Sequence, residues 1–213
     1  QLLSDQLASV PDPRVQRFAP KLMRSLERAI AFCQSTLSYG RAQEAEPDRR
    51  MVLVEPVVAE VRESAGLAHD ATITWVAAIE RGLSIDADPD QLFRVLLNLV
   101  RNAAQALESL PHGSAAAMQI RITGRREGSV AILEVSDTGP GVPAKVRQHL
   151  FEAFQSSGRP GGSGLGLAIA AELVRAHGGD IRLVEGTIGA TFRISIPDRP
   201  VELQSLRKER ASA

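Results

Sequence analysis

Cysteine, tryptophan and tyrosine occur once each in 213 residues, and aromatic residues make up only 4% of the chain. The lone Cys33 excludes an internal disulfide and suits a reducing compartment. Its neighbours are apolar, so a buried, inert thiol is expected there rather than a reactive one. Net charge is missing as well: 25 basic and 25 acidic residues cancel. Nucleic acid is therefore not expected as a bulk electrostatic partner. No apolar run approaches the ~20 residues that span a bilayer, and no signal peptide is recognisable. The chain opens at Gln1 inside a helical pattern. It is expected to be a cytoplasmic fragment of a longer protein, whose sensor or membrane-anchoring segments lie outside this sequence.

What is present is an ordinary globular composition, 44% hydrophobic and 23% charged. Leu3, Leu7 and Val10 fall at helical spacing until Pro11-Asp12-Pro13 breaks the run. Val15, Phe18, Leu22, Leu26, Ala29, Cys33 and Leu37 then form one stripe of a second, longer helix. Two helices around a proline turn predict an antiparallel hairpin. So thin a unit cannot bury its own stripe, and self-association into a four-helix bundle is the economical solution. A polar stretch containing Pro47 follows as a linker, which sets expected boundaries at 1–46, 47–200 and a charged tail at 201–213.

Beyond the linker, the patterning predicts strands at Met51 to Val54, Thr72 to Ala78, Met118 to Arg125, Val130 to Asp137, Asp180 to Glu185 and Ala190 to Pro197. Helices are expected from Pro56 to about Ala65, from Asp90 to about Leu110 and from Leu165 to Ala176. This order favours an α+β fold: a two-layer sandwich with one mixed sheet and helices on one face, preceded by the helical hairpin.

Three segments carry chemistry. On the helix beginning near Asp90, Leu92, Leu96, Leu99, Ala103 and Leu107 make the apolar stripe, while Asn98, Asn102 and Gln105 line the other side. Asparagine is a middling helix former, so two of them stacked in mid-helix suggest a task for their amides. An amide oxygen can ligate a hard cation such as Mg²⁺; a merely solvated polar face is the bland alternative. Next, Asp137-Thr138-Gly139-Pro140-Gly141 follows an apolar strand. Its glycines allow close backbone approach, and the aspartate can accept a hydrogen bond from an exocyclic amino group. A plain turn is the alternative here. Last, Gly161-Gly162-Ser163-Gly164-Leu165-Gly166-Leu167 leads into a helix. Glycines at a helix start expose N–H groups to an anion. The segment lacks the Gly-Lys-Ser/Thr ending of a P-loop.

In this order the segments resemble the N, G1 and G2 boxes of the GHKL ATPase superfamily, and sensor histidine kinases most closely. NLVRNAAQAL is similar to the N box, DTGPGVP to the G1 box, LFEAF to the F box and GGSGLGLAIA to the G2 box. Gly189-Ala190-Thr191-Phe192 is similar to the last glycine/threonine motif. The resemblance covers roughly Asp90 to Pro197 and implies a Bergerat-type ATP site. It implies that Asn102 ligates the Mg²⁺ bridging the ATP phosphates, with Asn98 supporting the phosphate side. Asp137 would read the adenine amino group, with Thr191 assisting through a water, and Gly139 and Gly141 would shape the adenine pocket. Gly162, Ser163, Gly164, Leu165, Gly166 and Leu167 would border the phosphates. Phe151 and Phe154 would anchor a lid spanning about 155–162, in which Arg159 is a candidate phosphate contact.

The implied activity is ATP-dependent phosphorylation of a histidine in a dimerisation helix, then transfer to a response-regulator receiver domain, with a homodimer formed through the N-terminal helices. Two departures stand out. Gln105 occupies a position where many sensor kinases carry lysine, as in other kinases of nitrogen-regulatory type. The phosphoacceptor is also missing: His69, His112, His149 and His177 all lie outside the hairpin. All four are expected to be structural or surface residues, with no catalytic side chain in this chain and the acceptor upstream of it. A phosphotransfer adaptor or pseudokinase is the alternative reading. A hydrolytic ATPase is disfavoured, because Asn98 stands where those enzymes carry a glutamate base.

Overall fold

The computed structural model describes residues 46–68, 72–110, 117–153, 164–186 and 188–200, together with Asp12, Val15, Phe18 and Cys33. The proposed hairpin therefore lies outside the described residues apart from those four positions, and the tail at 201–213 lies outside them altogether. Of the four, Cys33 is exposed and Phe18 is 52% exposed, which corrects the expectation of a buried thiol. Apolar neighbours in sequence do not cover a side chain. Only a packed partner does, and none covers Cys33 among the described residues of this single chain.

The elements run β1 (Arg50–Leu53), α1 (Val54–Ser64), β2 (Thr74–Ile79), β3 (Ser84–Ala87), α2 (Pro89–Glu108), β4 (Gln119–Glu127), β5 (Val130–Asp137), α3 (Ala144–Arg147), α4 (Gly166–Ala176), β6 (Asp180–Leu183) and β7 (Thr191–Pro197). Five strands form a mixed sheet in the order β2-β4-β5-β7-β6. Only β2 and β4 run parallel; the other neighbours are antiparallel. Alternation divides this sheet into two faces. Ile120, Ile122, Leu133, Val135, Phe192 and Ile194 are buried on one side. Across the other side Arg193 Nε donates to Glu134 Oε1 at 2.6 Å, with Arg125 Nη1 3.7 Å from the same oxygen.

The helices cover the apolar side. Asp88 caps α2, its Oδ1 accepting from the N–H groups of Asp90 and Gln91 at 3.0 Å each, and Pro89 opens the first turn. Leu92, Leu96, Leu99 and Leu107 on α2 are at most 1% exposed, and each contributes about 2 kcal/mol by leaving water. Helices α1 and α4 pack against α2, and Val58, Val61, Leu173 and Val174 join the same core. The fold is the expected α+β sandwich, a mixed sheet with helices on one face.

Two elements differ from the sequence reading. β1 and β3 form a separate two-stranded antiparallel sheet, with Arg50 opposite Ala87 and Leu53 opposite Ser84. β3 escaped notice because four residues with an aspartate in the middle give no alternation. The four-residue α3 was likewise not anticipated, since one turn carries no periodicity.

Candidate functional site

Asp137 ends β5 and is 4% exposed. Its Oδ1 accepts from Gly139 N–H at 2.8 Å and stands 3.4 Å from Ala190 N. The backbone behind it is closed by the neighbouring strand, because Asp137 N–H donates to Ala190 O at 2.9 Å. Two glycines make this closeness possible. A Cβ on Gly189, which has φ +70°, would lie 2.0 Å from Asp137 O. One on Gly141, at φ +75°, would lie 2.9 Å from Gly189 O. The loop after β5 and the turn before β7 thus interlock around the carboxylate, at a spacing that only hydrogen side chains permit.

Thr138 anchors this loop from the other flank, and the sequence reading missed it. Its Oγ1 donates to Ala117 O at 2.7 Å and accepts from Gln119 N–H at 2.9 Å, tying the loop to the start of β4. A threonine directly after a strand-ending aspartate is a signal only when its strand partner is known. Thr191 is 6% exposed and donates from Oγ1 to Ser136 Oγ at 3.0 Å, one residue before Asp137 on the adjacent strand. Gly139 packs beside α2, where an added Cβ would sit 3.2 Å from Ala106 Cβ.

The second half of the site comes from α2 and α4. Asn98 and Asn102, one turn apart on α2, are both half-buried, whereas Gln105 is exposed. Gly166 opens α4 beside Asn98: a Cβ there would meet Asn98 Oδ1 at 3.6 Å. The amide face of α2 and the positive end of an 11-residue helix therefore share one place. Leu165 holds that helix end down, being fully buried, while Leu167 is half-buried against the core. Gly164 precedes it with φ +69°. Gly162, Ser163, Phe154 and Arg159 lie outside the described residues. Phe151 lies inside them and meets Phe192 edge-on, with ring centroids 6.3 Å apart.

The described histidines are set apart from this site. His149 Nδ1 faces Glu152 Oε1 at 2.7 Å on the surface. His177 is 2% exposed; its Nε2 accepts from Asp88 N–H at 3.0 Å, so Nδ1 carries the proton and donates to Leu173 O at 2.7 Å. Burial holds this imidazole below its ordinary pKa, and the nearby Arg49 charge acts in the same direction. Arg49 donates to the carbonyls of Asp86, His177 and Pro197 at 3.0, 2.8 and 2.5 Å and pairs with the Asp86 carboxylate at 3.4 Å. Arg199 closes the other side of Asp86, from Nε to Oδ2 at 3.0 Å and from Nη2 to Oδ1 at 3.1 Å. Burial pushes the Asp86 carboxyl up, but the Arg199 hydrogen bonds and the Arg49 charge outweigh it and hold the pKa below 3.8.

Among the described residues no group of three or more His, Cys, Asp or Glu side chains could hold a metal. No helix among them is long and apolar enough to cross a membrane. The donors at the site are thus one carboxylate, two amides, hydroxyls and backbone N–H groups. That set can read an amino group at one end and receive anionic groups at the other.

Comparison with known proteins agrees. The family model for histidine kinase-, DNA gyrase B-, and HSP90-like ATPases matches residues 87–200. The sensory histidine kinase/phosphatase NtrB of Rhodobacter capsulatus is 37% identical over 187 residues, covering 83% of this chain and 51% of that protein. The chain spans about half the length of the curated relatives it matches. Among solved structures, full-length ShkA in complex with AMPPNP superposes with a TM-score of 0.69 at 27% identity, over 92% of this chain and 41% of that one. The mycobacterial sensor histidine kinase MprB gives 0.60 at 27% identity, over 72% and 99%. With the matched segment covering more than half of its length, the chain belongs to the histidine kinase-, DNA gyrase B-, and HSP90-like ATPase family, on the side of the sensor histidine kinases.

Proposed function

We propose that this chain is the ATP-binding catalytic part of a sensor histidine kinase, which binds Mg-ATP and delivers the γ-phosphoryl group to a histidine on a dimerisation helix. In this reading residues 47–200 form the catalytic unit, 1–46 belong to the dimerising hairpin, and a receiver-domain aspartate takes the phosphoryl group onward. The observation that carries it is the meeting of Gly166, at the N-terminus of α4, with the Asn98 amide on α2. This juxtaposition, about one helical turn from Asn102, suits phosphates. The carboxylate of Asp137 suits an adenine amino group at the far end of the same ligand.

Each residue then has a physical task. Asp137 accepts from the amino group, and the Gly141–Gly189 interlock keeps its carboxylate from turning away. Thr191 supplies a hydroxyl beside it. The N–H groups of Gly164 to Leu167 face the phosphates at a helix start, where the dipole favours negative charge. Asn98 and Asn102 offer neutral amide oxygens. The absence of an acidic cluster among the described residues fits an ion held mainly by phosphates and water, with Asn102 as its protein ligand. When bound, Mg²⁺ neutralises phosphate charge during transfer. The protein's share is positioning, since phosphoryl transfer needs no covalent step by this domain.

Calorimetric titration with AMPPNP, with and without Mg²⁺, tests the assignment. Asp137→Ala is expected to weaken binding about 10- to 100-fold in both conditions, the loss of a hydrogen bond to a charged group. Asn102→Ala is expected to remove the Mg²⁺-dependent gain while leaving the metal-free affinity nearly intact. Unchanged affinity in both variants would refute the site. Failure to label a histidine-bearing dimerisation domain from radioactive ATP, despite normal AMPPNP binding, would favour the adaptor reading.

A further inference from the structure

The two edges of the five-stranded sheet are built differently. β6, at one edge, is four residues long and carries Asp180 and Arg182. Shortness and charge are the ordinary protections of an edge against stray pairing. β2, at the other edge, is six residues long, Thr-Trp-Val-Ala-Ala-Ile, with no charge and no proline. Thr74 N–H donates to Met118 O and Glu80 N–H to Gly124 O, both at 2.8 Å. Even-numbered residues therefore bond β4, and Trp75, Ala77 and Ile79 point their N–H and C=O groups outward. Among the described residues no strand pairs with that outer edge.

A groove runs beside the same edge. It lies between α1 and β2, has a volume of about 380 Å³, and is floored by Val58, Trp75, Ala77 and Ile79. Its α1 wall includes Glu55 at one end and Arg62 and Glu63 at the other, all exposed. Glu55 and Glu63 are two turns apart, about 12 Å along the helix, close to the span of four strand residues.

We propose that the open edge of β2 and the groove against α1 form a docking site for an extended segment of a partner protein. The segment adds as a further strand, seats an apolar side chain over Ala77 and sets a Lys or Arg against Glu55. Backbone pairing supplies the affinity and alternate side chains the specificity, as in strand addition to other sheet edges. The charge on the wall selects this occupant over a second copy of the chain. A second copy would bring the same wall, two carboxylates to one guanidinium, so an acidic excess would face an acidic excess.

Trp75 is the sole tryptophan of the sequence and lines the groove, so its fluorescence reports on this place alone. The probe is a blocked decapeptide alternating threonine with valine, one valine replaced by lysine. Titration into the full chain is expected to give a saturable blue shift of Trp75 emission. Ala77→Pro is expected to abolish it, since proline removes an outward N–H and is tolerated on an edge strand. Glu55→Lys, on the exposed side of α1, is expected to weaken it about tenfold. Circular dichroism and AMPPNP titration confirm that both variants are folded, and neither variant is expected to change nucleotide affinity. No saturable shift up to millimolar peptide would overturn the proposal, as would equal shifts in the wild type and both variants. A peptide-free, concentration-dependent shift that Ala77→Pro abolishes would overturn it in favour of a second copy.

Discussion

At one end of the β5–β7 pair Asp137 is held by glycine backbone and two N–H groups; at the other, Arg49 and Arg199 close around Asp86 beside Pro197. The two ends are roughly 24 Å apart at the antiparallel rise of about 3.4 Å per residue. The Asp137 end is assembled from steric closeness and neutral N–H donors around one carboxylate. The far end satisfies its charges internally, with Arg49 and Asp86 side chains only 10% and 9% exposed. It also joins distant parts of the chain: Arg49 precedes β1, Asp86 lies in β3, His177 follows α4 and Arg199 follows β7. The first end is the one proposed above to receive a ligand, and the second ties the domain's distant segments together.

The sharpest way to break this contrast is Gly189→Ala. Its Cβ would lie 2.0 Å from Asp137 O on a backbone at φ +70°. The left-handed conformation and the overpacking together are expected to cost about 4 kcal/mol in urea unfolding. AMPPNP affinity should fall in the same variant, because Asp137 must move. Arg49→Ala comes next. It leaves Asp86 with Arg199 alone and strips three carbonyls of a donor, a loss of about 3 kcal/mol by the same assay. Nucleotide affinity at a temperature where the variant is folded should not change, and a parallel loss of affinity would erase the distinction between the ends.

The smallest effect concerns pH. His177 is held below its ordinary pKa, so the unfolded chain binds its proton first as pH falls. Its contribution to stability is complete above about pH 6.5 and is lost as pH drops through the lowered folded value. Protonation would cost the acceptor of Asp88 N–H and place a cation near Arg49. Urea midpoints should therefore fall between pH 7.5 and 5.5 in the wild type and less so in His177→Gln. Asp86 adds a separate acid limb below 3.8, where its paired carboxylate must take up a proton.

Periodicity recovered the elements that carry their own pattern. The α2 stripe of Leu92, Leu96, Leu99, Ala103 and Leu107 is buried throughout, and Val130 to Asp137 is a strand with the anticipated ends. β3 and the one-turn α3 left no such trace. β3 becomes a strand only because β1 pairs with it, and Asp86 is buried only because two arginines, 37 and 113 residues away, reach it. Cys33 looked buried by its sequence neighbours and is exposed. Asn98, Asp137 and Gly166 stood out by type and spacing, but Thr138 did not, because it holds Gln119 on β4 and Ala117 just before that strand.

By itself the sequence determined the binary pattern of helices and strands, the capped start of α2 and the order of amide, aspartate and glycine segments. These are local properties, set by side-chain period, capping chemistry and the absence of a Cβ. Tertiary structure alone decided that Gly166 meets Asn98, that Gly189 closes on Asp137, and that β2 runs parallel to β4 with no strand on its other side among the described residues. Such choices depend on contacts between residues tens of positions apart, which no local pattern encodes and only the packed chain can select.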